Sequence, residues 1–243
     1  MKKLISVGLG LLLLIPSAIA KTLTAAQDPW PPFVTADPER PGISVELVTA
    51  AMETQGYQVD FKNMPWARAL DAVNKGNIDI LPATWHTKDR TEFLHYSDAY
   101  MDNELTFIKR SGDDFQFSNL NDLEGKAVGV VRDYGYGDAF LNATNFEKPV
   151  ANNLATNLKK LLASRIDLTL EDRIVAQSVM QKEGLDSNQF SFTDKSLSTN
   201  ALHVTSGKAN PDGRAIIDDY NQGLKAIKAN GTFEEIVKKY GVD

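Results

Sequence analysis

Cysteine is missing from all 243 residues. Its absence excludes disulfides, cysteine-ligated zinc, iron–sulfur clusters, thiol catalysis and lipid attachment through a cysteine after an export signal. Histidine is scarce, and His86, His95 and His203 show no metal-ligand spacing, so no metal or other cofactor is expected. Basic charge is also short: 26 Lys and Arg face 32 Asp and Glu, a net of −6. That balance argues against nucleic acid or an anionic membrane as partner. The one long apolar run, Leu4–Ile15, is shorter than the ~20 residues a membrane span needs. Gly135-Tyr136-Gly137 lacks the third glycine and following acid of a dinucleotide fingerprint, and no serine has a nucleophile-elbow setting.

What is present begins with an export signal. Lys2 and Lys3 precede the apolar run, and Pro16-Ser17-Ala18-Ile19-Ala20 ends in an Ala-x-Ala pattern, which predicts cleavage after Ala20. The expected product is a soluble, unanchored periplasmic protein. At 42% hydrophobic and 24% charged, its composition suits a folded chain of one large or two medium domains.

Along the chain, helical and strand patterns alternate. Trp30-Pro31-Pro32-Phe33 forbids a helix, and Val45, Val48 and Met52 then recur at helical spacing from near Ser44 to Gly56. Tyr57, Val59 and Phe61 alternate as a strand does, Trp66, Leu70 and Val73 mark a second helix, and residues 78–81 a short strand ended by Pro82. Residues 111–114 read as a linker. In the second half, residues 127–131 and 166–170 predict strands, each followed by helical stripes. This order indicates an α/β fold with largely parallel sheets, whose ligands sit beyond the carboxyl ends of strands. Arg90 and Asp172 fall in such segments.

Five motifs then occur in a recognisable order: Trp30-Pro31-Pro32-Phe33; Gly42-Ile43-Ser44-Val45-Glu46-Leu47; Thr87-Lys88-Asp89-Arg90 with Tyr96-Ser97-Asp98-Ala99-Tyr100; Leu123-Glu124-Gly125-Lys126-Ala127-Val128-Gly129-Val130; and Asn230-Gly231-Thr232-Phe233-Glu234. On these the chain resembles the bacterial extracellular solute-binding proteins of family three, periplasmic receptors for polar amino acids that serve ABC importers. The resemblance implies a two-lobed periplasmic-binding-protein fold of type II. Each lobe is a mixed, mostly parallel sheet flanked by helices, and two crossover strands join them. Residues 21–109 plus 197–243 would form lobe one and residues 110–196 lobe two, after the signal at 1–20.

The resemblance also implies a site. Arg90 takes a ligand carboxylate, Asp172 its ammonium group, and Trp30 stacks on it beside Asp28. Pro82, Ala83 and Trp85 stand where small hydroxyl residues are usual, with Thr84 and Thr87 in compensation. Arg132-Asp133-Tyr134-Gly135-Tyr136 replaces the usual glycine-threonine turn. Trp66 and Arg68 add an aromatic–arginine pair at a helix start. With Tyr134 and Tyr136, these rings suit a ligand that has a carboxylate and a flat or cationic part. The expected role is a monomeric, non-enzymatic receptor that hands its ligand to an inner-membrane ABC permease. The alternatives are a ligand-sensing subunit of a membrane signalling protein, or a dehydratase with Glu171, Asp172 or His86 as general acid.

Overall fold

In the computed structural model, residues 21–242 are described, so the expected export signal lies outside the described residues. Lys21–Gln27 forms strand β1, with Leu23, Ala25 and Ala26 buried, and it pairs in parallel with β2, Tyr57–Asn63. Parallel neighbours need a crossover, and helix α1, Ile43–Glu53, supplies it. Its start is set by Gly42 at φ 107°, where a Cβ would lie 2.4 Å from the Phe33 carbonyl oxygen. Helix α2, Trp66–Asn74, leads to β3, Leu81–Trp85, which a bridge between Ala25 and Ile80 ties back to β1.

Pro82 does not end this strand. The chain runs through it because the register against strand β10, Ser198–Gly207, shifts opposite Pro82 and Ala83. At such an irregularity the ladder needs no N–H from proline.

Strand β4, Leu94–Tyr96, and the long β5, Met101–Arg110, follow. Then come β6, Val128–Val131; α3, Asp138–Asn142; β7, Val150–Ala151; and α4, Leu154–Leu162. After these lie β8, Leu168–Asp172; α5, Arg173–Lys182; and β9, Phe190–Phe192. Helices α6, Gly213–Ala229, and α7, Thr232–Lys239, close the chain. Strand β8 starts two residues later than the apolar pattern suggests, because the turn leaving α4 passes through Ser164 at φ 53° and continues to Asp167.

The main sheet has the order β3-β10-β5-β8-β6-β7. The first half of β5 pairs with β10, and from Leu105 onward it pairs with β8. Strand β10 likewise passes from β5 to β3. These two antiparallel strands thus join two α/β halves, the type II architecture. The main apolar core is continuous through both halves, and at one end it packs α1 on α6 through Leu47, Val48, Ile216, Tyr220 and Leu224. At its other end it gathers Leu123, Phe140, Leu158, Leu161 and Leu168, while a smaller separate cluster holds Trp66, Ala69, Val73, Ile78, Leu81 and Leu94. No helix of the described residues is long and apolar enough to cross a membrane.

Candidate functional site

A small cavity of about 20 Å³ lies beyond the carboxyl ends of β1, β3 and β6. Gln27, Asp28, Trp30, Trp66, Ala83, Trp85 and Arg90 line one side, and Tyr134 with Gly135 closes the other. A wider groove beside it also touches Asp28, Trp30 and Tyr134 and extends to Asn152, Asn153 and Leu154. Tyr134 therefore stands in the wall between cavity and groove.

Strand alternation decides which β3 residues reach the cavity. Ala83 and Trp85 face it, whereas Thr84, fully buried, turns the opposite way to the Thr205 hydroxyl at 2.9 Å. The expectation that all three would line the site therefore fails for Thr84. Gln27 was not among the expected residues. Its side-chain amide donates to the Ala83 carbonyl and accepts from the Ala83 N–H, both at 2.9 Å, and so forms the back of the cavity. Its position at the last residue of β1, next to Asp28, is the signal that points to it.

Arg90 sits on a short 3-10 turn, Asp89–Glu92, whose entry Thr87 supports by accepting from the Arg90 N–H. The residue is 6% exposed, and its guanidinium lies 5.1 Å over the Trp66 ring and donates to the carbonyl oxygens of Trp85 at 2.9 Å and Asp133 at 2.5 Å. Among the described residues it meets no carboxylate within salt-bridge distance. Burial pulls its pKa below the usual arginine value, yet a guanidinium stays cationic at neutral pH.

Asp28 is the acid of the cavity lining, and Glu171 is a second buried acid outside it. One Asp28 oxygen accepts from the Tyr134 hydroxyl at 3.0 Å, and the other is buried without a partner. Burial raises its pKa to about 7, with the Tyr134 bond opposing the rise. Glu171, absent from the expected ligand contacts, is fully buried. One oxygen accepts from the Asp172 N–H, the other has no partner, and burial drives its pKa to about 8. The Trp30 N–H lies near enough to favour the ionised form but closes no hydrogen bond.

Other expected residues are placed elsewhere. Asp172 caps α5: one oxygen accepts from the N–H groups of Ile174 and Val175, the other from Asn103 Nδ2 and the Glu104 N–H. It lines neither the cavity nor the groove, since its lone pairs serve the helix and β5. Its neighbour Arg173 stacks on Phe192, 4.4 Å from the ring centroid. Arg68 and Arg132 are exposed and outside the cavity. Tyr136 stands behind Tyr134, ring centroids 6.1 Å apart, its hydroxyl accepting from the Val131 N–H. Trp30, Trp66, Trp85, Arg90, Asp28 and Ala83 do come together, with Tyr134 against them.

The family model for bacterial extracellular solute-binding proteins, family 3, matches residues 23–243. The L-cystine-binding protein TcyA of Bacillus subtilis is 24% identical over 200 residues, 82% of this chain and 72% of that protein. An ancestral arginine-binding protein bound to arginine superposes with a TM-score of 0.78 at 22% identity, over 92% of this chain and all of that one. A histidine kinase sensor domain with similarity to periplasmic binding proteins gives 0.81 at 18% identity, over 91% and 96% of the two chains. At these identities the structural likeness concerns the fold.

Proposed function

The chain belongs to the bacterial extracellular solute-binding proteins of family 3, and from that membership we propose that it captures a small amino-acid-like carboxylate and delivers it to an ABC importer of the inner membrane. Residues 21–109 with 197–243 form one closing lobe and residues 110–196 the other. It acts as a periplasmic monomer after cleavage behind Ala20, and it releases its ligand chemically unchanged. The names of relatives such as TcyA support the ligand class. The observation that carries the reading is Arg90: a buried guanidinium at the cavity wall that bonds carbonyl oxygens and no acid. A planar cationic fork in such a place suits a carboxylate.

The test is a thermal-shift screen of protein purified from the periplasm against amino acids and aromatic acids, with intact mass reading the cleavage point. A ligand at 100 times its Kd adds about 2.7 kcal/mol. Arg90→Ala is expected to weaken the hit by about 2–5 kcal/mol, roughly 1.5 to 3.5 decades, with the fold retained. A loss under threefold would remove Arg90 from the site.

A further inference from the structure

The turn after β6 enters the cleft in the manner of a small molecule. The Asp133 carbonyl oxygen accepts from Arg90 Nη2 at 2.5 Å and from Trp66 Nε1 at 2.9 Å. To present it, Asp133 adopts φ 60°, a conformation that residues other than glycine seldom take. The Tyr134 ring then meets Trp66 and Trp85 edge-on, at centroid distances of 6.1 and 5.8 Å, and its hydroxyl donates to Asp28. Residue 135 has no room for a side chain, since a Cβ would fall 2.8 Å from Thr87 Cγ2 and 3.2 Å from Arg90 Nη1. An acceptor oxygen on the cation, a flat ring between indoles and a donor on the carboxylate are thus supplied by the protein itself.

We propose that residues 133–135 are a built-in surrogate ligand, and that the solute which displaces them is an aromatic carboxylate bearing a hydrogen-bond donor at the far side of its ring. Three contacts define it: a carboxylate oxygen on Arg90 and Trp66, a ring between Trp66 and Trp85, and a hydroxyl or ammonium on Asp28. The groove that Tyr134 already borders gives its side chain somewhere to go. The inference rests on the receptor reading and names its substrate class.

The experiment is calorimetric titration of wild type, Tyr134→Ala and Tyr134→Phe with 4-hydroxyphenylacetate, phenylacetate and L-arginine. Removing the internal competitor is expected to tighten 4-hydroxyphenylacetate at least tenfold in Tyr134→Ala. Phenylacetate, without the far donor, should bind that variant at least threefold more weakly. Adding Arg90→Ala should cost tenfold or more. Tyr134→Phe loses only the bond to Asp28, so it should gain at least threefold, which keeps the test valid if the alanine variant does not fold. Unchanged or weaker binding of 4-hydroxyphenylacetate by a folded variant overturns the proposal. Wild type that binds L-arginine and loses it in Tyr134→Ala overturns the surrogate but leaves the receptor reading standing. Silence from every protein toward every probe counts against both.

Discussion

Two buried carboxyl groups, Asp28 in the cavity lining and Glu171, are raised to about 7 and about 8 because burial penalises their charged forms. An unfolded chain would titrate them near 4. Between those values the folded protein holds protons that the unfolded chain has released, so raising the pH from 5 to 8 favours unfolding. Glu171→Gln keeps the shape and removes the charge. At pH 8 it is expected to be more stable than wild type by about 2 kcal/mol or more, and at pH 5 nearly equal, as read by urea unfolding. Identical pH dependence in both proteins would show that Glu171 ionises freely. Arg90 follows the opposite logic at the same scale, since carbonyl dipoles and an indole face surround a charge that burial cannot remove.

Helix α5 explains what Asp172 is for. Its first turn has N–H groups with no partner inside the helix, and the Asp172 carboxylate accepts from two of them. Asparagine keeps the cap but turns an NH2 toward the Glu104 N–H and Asn103 Nδ2, so Asp172→Asn is expected to cost about 1–3 kcal/mol in stability while leaving ligand affinity within threefold. Asp172→Ala loses the cap and the acceptor of Asn103, at about 1–3 kcal/mol in denaturant unfolding. A tenfold affinity loss in Asp172→Asn would return this residue to the ligand's ammonium. Period-two alternation in β3 acts similarly, giving Ala83 and Trp85 to the cavity and Thr84 to the contact with β10.

Across the whole molecule, β5 and β10 are the strands that connect the two α/β halves. Asn103, on β5, accepts from Trp85 Nε1 at 2.9 Å and donates to Asp172 at 3.2 Å, so it ties the cavity wall to the crossing strand and the start of α5. Asn103→Ala strands the buried indole N–H, at a cost of about 1–3 kcal/mol. Hydrogen exchange is expected to quicken in β5, β10 and the Trp85 segment while α1, α4 and α6 stay protected. Unchanged exchange there would show that Asn103 does not couple the halves.

Local patterns in the sequence determined most of the architecture: alternating strand and helix periodicities, the Trp30-Pro31-Pro32-Phe33 turn, the glycine stops and the ordered motifs around Arg90 all act over a few neighbouring residues. They also brought Arg90 and the tryptophans into one candidate site, because residues beyond strand ends converge in an α/β fold. Only the tertiary structure decided which neighbour of a pair faces the cavity. Glu171 and Asp172 are adjacent in sequence, yet one ends buried with an orphan oxygen and the other becomes a helix cap. Likewise Arg68 and Arg132 resemble site cations by composition and point to solvent. The docking of the Asp133–Tyr134 turn against Arg90, Trp66 and Asp28 is a contact between segments more than forty residues apart. Such contacts depend on how the two halves meet, and no short-range pattern encodes that.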